Sequence, residues 1–572
     1  MIDNKIVLNL VNYDSMIRDS FEKLKREQIL DRIWKHDHTV WQPKPTEITN
    51  RLGWLRSPEE MRKNIAEIQT FVNEVESEGF THVLLLGMGG SSLAPKVFRR
   101  IFGVKAGHPD LAVLDSTTSD AVLSFSRKLN PEKTLYIAST KSGSTVETLS
   151  FMKYFYNKTL SKVGKEKVGK HFVSITDPGS SLEALAKELN FRKIFLNDPN
   201  IGGRYSALSY FGLIPASLIG VDLNILLNRA QRLVCDCDDC DNAVNGDNTG
   251  ALLGTVLGEL ARYGRDKLTF VISPEIEPFG TWIEQLIAES TGKEGVGILP
   301  VVGEAMLTPQ DYTYDRLFVY LKLTCDSTYD TQVKSLIDNS FPLVEIQLMD
   351  KYDLGGEFFR WEIATAIAGY FLRINPFDQP NVEAAKVLAR KMAAAYQENG
   401  ELPESEPSLK TDGIIVFTDN NVISLEDALT QFLTKANPGQ NGKGRSYVAI
   451  QAFVQPTSET DAALHDLRTK IQRKYKLATT VGFGPRFLHS TGQLHKGDGG
   501  NGLFIQITSE FPKDIAIPDK AGAESSSISF GVLALAQALG DRQALLDANR
   551  KVIRFHLSYD TVAGIRKLVD TI

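Results

Sequence analysis

The alternation of short apolar runs with longer amphipathic stretches, beginning at His82, constrains the fold of this chain more than any other feature. The runs HVLLLG, LAVLDST, TLYIAST, HFVSIT and KIFLND follow one another, and each leads into a turn or a helix-like segment. Buried parallel strands wrapped by helices have this pattern. A similar alternation starts near residue 249 with GALLGTVLGELARYG, LTFVIS, RLFVYLKL and FPLVEIQL. The sequence therefore predicts an α/β protein with two lobes in tandem.

The rest of the chain divides around these lobes. Residues 1–78 contain helix-like stretches and polar turns, which predict a helical N-terminal arm. The first α/β domain with its connector is expected over 79–245, and the second over 246–395. The stretch 396–445 begins near ENGELPESEPSLKTDG, whose proline, glutamate and serine content predicts a linker and surface segment. An α/β C-terminal extension is expected over 446–572.

The C-terminal extension echoes the second lobe. Its segments SYVAIQAFV, GLFIQIT and FGVLALAQALGDRQALLDANRKVIRF follow in the same order as RLFVYLKL, LVEIQL and FFRWEIATAIAGYFLRI. This order predicts a degenerate half-repeat, although similar patterns also arise by chance in α/β proteins.

Composition limits the partners and the location of the protein. Of 572 residues, 42% are apolar and 23% are charged, and the formal net charge of -6 gives no strong attraction to nucleic acid or anionic lipid. The most apolar stretch, residues 210–221, is shorter than the roughly 20 residues that cross a bilayer. The N-terminus lacks the pattern of a secretory signal, and four cysteines suit a reducing compartment. We expect a cytoplasmic protein without a nucleic-acid or membrane partner.

Three of the cysteines, Cys235, Cys237 and Cys240, stand close enough in sequence to suggest a metal site. A structural zinc ion takes four ligands, and no histidine lies nearby. A polar helix end is therefore the favoured interpretation, and no metal is predicted.

Two loops that follow predicted strands are suited to an anion. The first contains Gly90 and Ser91, and its glycines let backbone N–H groups at a helix start approach a ligand. A dinucleotide is one alternative, with Asp115 for the ribose, but Ser92 stands where that fingerprint needs a glycine. The second loop has five hydroxyl side chains and a lysine in nine residues, which can encircle a phosphate monoester or simply cap the next helix. These hydroxyls belong to Thr140, Ser142, Ser144, Thr145 and Thr148, and Lys141 adds a positive charge.

Further polar groups follow in the first and second lobes. Arg204, after paired glycines, is suited to stabilising negative charge on a substrate, or to a salt bridge between lobes. Gln285 and Glu289 are four residues apart and share a helix face, so Glu289 is a candidate for accepting and returning a proton. Lys386 lies about two turns into a predicted helix that begins near Asn381.

Together the motifs GMGGSSLAP, TKSGSTVET, GGRYS, EQLIAESTGKEG and NPFDQPNVEAAK resemble the phosphoglucose isomerase family, which is built on paired sugar-isomerase (SIS) domains. The match covers roughly residues 80 to 390 in order. The stretch RIWKHDHTVWQPKPTEITNRLGWL and the C-terminal third resemble the isomerase half of bacterial transaldolase/phosphoglucose isomerase fusions. The sequence holds no barrel-sized transaldolase segment, so that second activity is not expected.

The resemblance implies a role for each matching residue. It gives Glu289 the part of the base that moves a proton between carbons 2 and 1, with Arg204 beside the reacting carbons and Lys386 in ring opening. It implies substrate or phosphate binding by Gly90, Ser91, Thr140, Lys141, Ser142, Thr145, Gly203, Gln285 and Gln379.

Ring opening in this family also uses a histidine in an LHSxGQ motif, which reaches the site from the partner subunit. Here LHSTGQ places His489 after the lysine motif instead of before it. The C-terminal third is therefore expected to imitate part of a partner and deliver His489 within one chain, as a monomer or a homodimer. A surface histidine is the alternative interpretation, and His495 is a weaker candidate.

The resemblance implies a reversible glucose 6-phosphate and fructose 6-phosphate isomerase that works through an enediol, without metal or organic cofactor. One alternative is a related isomerase that acts on mannose 6-phosphate or an amino sugar phosphate. A non-catalytic sugar-phosphate regulator would need the hydroxyl loops but would have no use for Glu289, Lys386 and His489 together. A dehydrogenase is the third and weakest alternative.

Overall fold

The computed structural model describes residues 5–238, 248–403, 405–440 and 442–572. Its strands are β1 (Ile6–Asn9), β2 (His82–Gly87), β3 (Asp110–Leu114), β4 (Thr134–Ser139), β5 (Phe172–Thr176), β6 (Lys193–Leu196), β7 (Lys267–Ile272), β8 (Leu299–Val301), β9 (Arg316–Leu323), β10 (Leu343–Leu348), β11 (Leu409–Thr411), β12 (Ile414–Phe417), β13 (Tyr447–Phe453), β14 (Ala478–Phe483), β15 (Gly502–Ser509), β16 (Ala516–Ile517), β17 (Ile528–Ser529) and β18 (Lys551–Leu557).

The α-helices are α1 (Asp14–Arg26), α2 (Ile29–Trp34), α3 (Ser57–Lys63), α4 (Ile65–Ser77), α5 (Leu93–Phe102), α6 (Ser119–Lys128), α7 (Val146–Val163), α8 (Lys165–Val168), α9 (Ser181–Glu188), α10 (Tyr210–Leu218), α11 (Leu223–Asp238), α12 (Thr249–Arg262), α13 (Gly280–Thr291), α14 (Asp330–Asp338), α15 (Leu354–Leu372), α16 (Val382–Asn399), α17 (Leu425–Leu433), α18 (Ser458–Tyr475), α19 (Gly492–Gly497), α20 (Phe530–Asp547) and α21 (Thr561–Asp570). None of the helices in these described ranges is both long and apolar enough to cross a membrane.

The first sheet has the strand order β3-β2-β4-β5-β6, and every neighbouring pair is parallel. The apolar runs identified in the sequence form these strands, and β2 and β4 are almost completely buried. Because all five strands run the same way, the loops after β2, β4 and β6 leave from the same edge of the sheet. Open α/β sheets bind ligands at this edge.

The second sheet has the order β1-β10-β9-β7-β8. Its four strands from the second lobe are parallel, whereas β1 pairs with β10 in the antiparallel direction. The N-terminal arm was expected to be helical, but it also supplies this edge strand. The arm's four-residue run IVLN was too short to be recognised as a strand from sequence alone.

The third sheet has the order β11-β12-β18-β15-β13-β14. The stretch 396–445, predicted to be a linker and surface segment, contains β11, β12 and α17, and the two strands belong to this sheet. The linker prediction is therefore wrong for 409–433. The proline and glutamate residues on which the prediction was based lie before β11.

The second and third sheets share one topology. In each, four parallel strands are flanked on one side by an antiparallel strand, and β14, β13, β15, β18 and β12 occupy the places of β8, β7, β9, β10 and β1. The strand order agrees with the predicted repeat. The pairing of segments differs, because the sequence comparison matched β13 with β9, whereas its position in the sheet corresponds to β7.

The N-terminal arm packs into a hydrophobic core that it shares with the first and second lobes. Trp54 is fully buried, with its ring centroid 5.2 Å from that of Tyr205 and 5.8 Å from that of Phe359. The indole N–H of Trp41 donates to the Ala366 carbonyl at 2.8 Å. The arm therefore supports the segment around Tyr205, which carries the neighbouring Arg204.

Two of the three clustered cysteines, Cys235 and Cys237, lie near the end of α11. Cys235 is exposed, Cys237 is fully buried, and Cys240 lies outside the described residues. Burial raises the pKa of the Cys237 thiol far above its ordinary value, and the carboxylate of Asp236 acts in the same direction. A thiol in this environment stays protonated and is a poor metal ligand.

Candidate active site

The turns after β2 and β4 lie side by side at the edge of the first sheet. Gly87 and Ser139, the last residues of these strands, are register partners. The Ser139 hydroxyl donates to the Ser91 carbonyl at 3.1 Å and so ties the two turns together. The glycine turn and the hydroxyl loop recognised in the sequence therefore form one continuous surface.

Position 90 requires a glycine because the backbone of Gly203 lies directly against it. A Cβ atom at this position would stand 2.0 Å from the carbonyl oxygen of Gly203. The turn after β2 thus packs directly on the segment that carries Arg204. Gly89 has a φ of 53°, and a Cβ there would stand 2.7 Å from the His489 carbonyl oxygen. Three parts of the chain meet at this turn.

The hydroxyl loop leads into the 18-residue helix α7. Thr145 is its N-cap residue, but the Thr145 side chain makes no capping hydrogen bond and instead lies 2.7 Å from the Thr140 hydroxyl. The hydroxyls of Ser142 and Ser144 lie 3.1 Å apart. The N–H groups of the first helical turn have no capping side chain, and such groups attract anions. This loop can surround a phosphate.

Lys141 points away from the hydroxyls of this loop. Its ammonium group forms an ion pair with Asp177 and donates to the Pro199 carbonyl at 2.9 Å. The backbone of Lys141, which accepts a hydrogen bond from the Asp177 N–H, remains part of the loop. The structure therefore favours a contribution from the main chain of this residue over one from its side chain.

Arg204 belongs to the first lobe but is held in one position by groups of the second lobe, and its side chain is 2% exposed. Its Nε donates to the Ser290 hydroxyl at 2.7 Å, and its Nη1 donates to the Gln379 Oε1 at 3.0 Å. Its Nη2 donates to the carbonyls of Pro376 and Asp378 at 2.8 and 2.9 Å. The guanidinium group is thereby fixed before any ligand binds.

Glu289 and Gln285 lie on the same face of α13, as their spacing predicts. The Gln285 amide donates to Glu289 Oε2 at 2.9 Å and to the His489 carbonyl at 2.7 Å. The other carboxylate oxygen of Glu289 lies 3.3 Å from Nη1 of Arg204, and its side chain is 13% exposed. A carboxylate that is partly exposed and held by an amide can take up and release a proton.

His489 enters this site from the part of the same chain that forms the third sheet and its helices, residues 409–572, which we call the third lobe. Its Nε2 lies 2.8 Å from Oε1 of Glu147, the second residue of α7. Because a carboxylate only accepts hydrogen bonds, Nε2 carries the proton, and Nδ1 is the acceptor of the neutral ring. Burial raises the pKa of Glu147, but the positive charge that His489 carries when protonated and the hydrogen bond from its ring outweigh burial, so the pKa of Glu147 lies below its usual value.

Glu147 was not among the residues predicted to form the site. It lies inside the TKSGSTVET motif, directly before Thr148. Its position in that motif was the only available signal, because its partner His489 is 342 residues away in the sequence.

Lys293 is a second residue that sequence reasoning missed. Its side chain is 0% exposed, and its ammonium group donates to the Asp378 carbonyl at 2.5 Å and to the Asp378 carboxylate at 2.8 Å. Burial lowers the pKa of Lys293 to about 8, Arg204 acts in the same direction, and Asp378 and Glu289 oppose it. Lys293 therefore holds the turn around Asp378, whose carbonyl also accepts from Arg204.

Three residues considered in the sequence lie apart from this group. Lys386 is 51% exposed, and its ion-pair partner is Glu383 at 3.8 Å. His495 is buried beside Gln451, and burial lowers its pKa well below the ordinary value. Asp115, the residue suggested for a ribose, pairs with Lys96 and with Arg486. An aspartate that is buried between two cations is not free to bind a dinucleotide.

Comparison with known proteins identifies the class to which this fold and site belong. The family model described as phosphoglucose isomerase matches residues 56–298. The probable glucose-6-phosphate isomerase of Methanococcus maripaludis is 30% identical over 357 residues, which are 55% of this chain and 79% of that protein. The glucose-6-phosphate isomerase of Carboxydothermus hydrogenoformans is 29% identical, over 59% of this chain and 83% of that protein. The chain belongs to the phosphoglucose isomerase family.

Solved structures share the fold over about two thirds of the chain. The hypothetical protein TT0462 from Thermus thermophilus aligns with a TM-score of 0.58 at 23% identity, over 68% of this chain and 99% of that chain. A glucose-6-phosphate isomerase from Chlamydia trachomatis aligns with a TM-score of 0.57 at 16% identity, over 70% and 90%. At these identities the alignments establish the architecture of the chain alone, and its chemistry has to be inferred from the residues of the site.

Proposed function

We propose that this protein interconverts glucose 6-phosphate and fructose 6-phosphate through an enediol intermediate. The observation that carries the proposal is the meeting of Glu289 with the guanidinium group of Arg204, 3.3 Å away, beside a loop suited to phosphate. Membership of the phosphoglucose isomerase family supports it. Substrate and product differ by one hydrogen that moves between adjacent carbons, and a single base can carry it.

The phosphate end of the substrate binds at the glycine turn and the hydroxyl loop. The proposed ligands are Ser91, Thr140, Ser142, Thr145 and the backbone around Lys141. A dianion gripped there fixes carbons 1 and 2 against Glu289, and this remote binding energy then favours the transition state. Gly90 and Gly203, whose backbones touch, keep the loops close enough for one substrate to contact both.

In the proposed chemical step, the Glu289 carboxylate takes the proton from carbon 2 of the aldose and returns it to carbon 1. Negative charge develops on the substrate oxygens during this transfer. Arg204 is positioned in advance and buried, so it stabilises this charge without first having to reorganise. Gln285 holds Glu289 through its amide, and Gln379 accepts from Arg204.

Ring opening comes before this step, and we assign it to His489 paired with Glu147. The neutral imidazole takes the proton of the carbon 1 hydroxyl at Nδ1, the bond from carbon 1 to the ring oxygen breaks as the carbonyl forms, and the imidazolium returns the proton to the ring oxygen. The Glu147 carboxylate, 2.8 Å from Nε2, stabilises the transient cation. A role for Lys386 in ring opening stays a prediction from the resemblance. Its ion pair with Glu383 leaves the ammonium group exposed to solvent.

We also propose that one chain supplies a complete site, because His489 reaches Glu147 and Gln285 from the third lobe of the same molecule. A monomer then suffices for activity, and a homodimer would carry two independent sites. A cytoplasmic location follows from the low cysteine content as a prediction.

The test is to incubate purified protein with fructose 6-phosphate in deuterated water. We expect glucose 6-phosphate labelled at carbon 2, and we expect Glu289→Gln to lower kcat by about 10² to 10⁴ while phosphate binding persists. Glu275→Gln, an exposed glutamate in the turn before α13, is the matched control. Neither aldose nor label from the unaltered protein would reject isomerase activity.

Three further measurements on the purified protein separate the alternative functions. Comparing kcat/KM for glucose 6-phosphate, mannose 6-phosphate and glucosamine 6-phosphate identifies the preferred configuration at carbon 2. Binding of fructose 6-phosphate without turnover would indicate a regulator. Quenching of nicotinamide fluorescence on titration would indicate a dehydrogenase.

A further inference from the structure

Gln537, on α20 of the third lobe, reaches into the first lobe and contacts the carboxylate that holds His489. Its amide nitrogen donates to Glu147 Oε1 at 2.7 Å. Its amide oxygen accepts from the Thr117 hydroxyl at 2.9 Å. The Gln537 residue is 6% exposed, and Thr117 is fully buried.

The two contacts fix the orientation of the Gln537 amide. The Thr117 hydroxyl donates to the amide oxygen, and the Glu147 carboxylate only accepts, so the NH₂ group must face Glu147. Rotating the amide by half a turn would set two oxygens against each other. The donor to Glu147 is therefore kept in place by a residue on a different segment.

Oε1 of Glu147 accepts from Gln537 and from His489 at nearly the same distance, 2.7 and 2.8 Å. Both donors come from the third lobe, whereas the carboxylate comes from the first. The hydrogen bond from Gln537 is one of the contacts that keep the pKa of the buried Glu147 below its usual value, against the effect of burial. Losing it would favour the protonated carboxyl, which is a weaker partner for an imidazolium.

We propose that Gln537 is a positioning residue for the isomerase, acting on His489 through Glu147. The inference rests on the proposed function and extends it. The third lobe then contributes a second residue besides His489, one that keeps the partner of the histidine charged and aimed at Nε2.

The first experiment compares Gln537→Met with Gln543→Met. Methionine has a similar length but cannot donate to Glu147. Gln543 is on the same helix and bonds Asp547 at the solvent side, so it is the matched control. We expect kcat/KM to fall by about tenfold or more for Q537M, because hydrogen bonds to charged groups are among the stronger ones. Q543M should match the unaltered protein, and equal kcat/KM for Q537M would overturn the proposal.

A double-mutant cycle separates positioning from support of the fold. In a Glu147→Gln background the carboxylate is gone, so Q537M should lower kcat/KM by less than about twofold further. If Gln537 only stabilises the fold, Q537M would cause the same loss in both backgrounds. That additive result would also overturn the proposal.

Gln537→Glu keeps the shape of the side chain and is the variant to measure if Q537M does not fold. The carboxyl group that this substitution introduces can, when protonated, donate to Glu147 in place of the amide, whereas two ionised carboxylates repel. We expect activity close to that of the unaltered protein at the acidic end of its pH range and a loss that begins at lower pH than in the unaltered protein. An unchanged pH profile would contradict the inference. Failure of the proposed function would appear separately, as absence of isomerase activity in the unaltered protein.

Discussion

The Nη1 atom of Arg204 lies 3.3 Å from Oε1 of Glu289. The two side chains come from different lobes, and they are held unequally. Hydrogen bonds to four acceptors fix the guanidinium group, whereas one amide holds the carboxylate. The group that we propose stabilises the intermediate is therefore the rigid partner, and the proposed proton carrier is the more adjustable one.

Replacing Arg204 with lysine should impair both turnover and folding. A single ammonium group cannot satisfy the Ser290 hydroxyl, the Gln379 amide and the two carbonyls at once. We expect kcat to fall by about 10² to 10³, in line with the removal of one stabilising donor from an active site. Steady-state kinetics and thermal unfolding measure the two effects, with Arg390→Lys on the exposed face of α16 as control. Undiminished kcat in R204K would contradict the role assigned to Arg204.

The pKa of about 8 for Lys293 predicts a fall in kcat/KM above that pH. Deprotonation removes the positive charge beside Glu289 and weakens the contact with Asp378. Lys293→Met should be less active at pH 7 and should lack this alkaline limb, whereas Lys334→Met, at an exposed position on α14, should keep it. If kcat/KM of K293M still fell at alkaline pH with the same midpoint, the group that titrates would be one other than Lys293.

The same shift in pKa has a consequence for folding stability with a definite sign. Between the folded value of about 8 and the ordinary value of 10.5, the unfolded chain keeps a proton on Lys293 that the folded protein has released. The contribution of this lysine to the free energy of unfolding therefore rises with pH across that window. Denaturant unfolding of the unaltered protein and K293M at pH 7.5 and 9.5 measures it, and the opposite trend would contradict the assigned pKa.

Alanine at Gly90 and at Gly203 should have different effects. A Cβ at Gly90 would stand 2.0 Å from a backbone oxygen, whereas a Cβ at Gly203 meets no heavy atom within 4 Å. We expect G90A to lose about 1–3 kcal/mol or more in the free energy of unfolding, as overpacked sites do. G203A should stay within about 0.5 kcal/mol, because the new methyl group would enter open space, but it should raise KM if this space holds the substrate as we propose. Equal destabilisation of the two variants would contradict the contact between these turns.

Mixing two inactive variants tests whether the site is complete within one chain. His489→Asn and Glu289→Gln should each lower kcat by about 10² to 10⁴. If His489 acts on its own chain, a mixture of the two variants regains no activity, even after unfolding and refolding them together. Recovery of about a quarter of the unaltered activity or more would indicate that the histidine crosses between chains. Sedimentation of the unaltered protein gives its mass under the same conditions.

The local parts of the site could be predicted from sequence. Gln285 and Glu289 are brought together by helical spacing alone, and the loops at Gly90 and Thr140 follow strands whose apolar runs are unambiguous. The contact of Glu147 with His489 could not be predicted, because it depends on how the third lobe packs on the first. The ion pair of Lys293 with Asp378 spans 85 residues and has no periodic pattern to signal it.

The same contrast holds for the fold, because elements with a clear local pattern could be predicted and elements that depend on their neighbours could not. The parallel strands of the first sheet follow from buried runs that are five or six residues long in most cases. The edge strands β1 and β11, and β12 beside β11, have three or four residues each, and the last two follow a stretch rich in proline and glutamate. Such short strands are stabilised by the neighbours they pair with, and their own composition gives little sign of them.

The third lobe has the strand order of the second, and its described contacts with Glu147 and Gln285 come from His489, in the loop after β14, and from Gln537 on α20. Selection on catalysis therefore acts on a small fraction of this lobe, chiefly around His489 and Gln537. Helix α18 lies between β13 and β14 as α13 lies between β7 and β8, but the hydrogen bonds described for it reach Val302, Val569 and Ile572 and not the proposed site. Substitutions at its exposed positions are therefore expected to leave turnover intact, whereas its buried positions are constrained by packing.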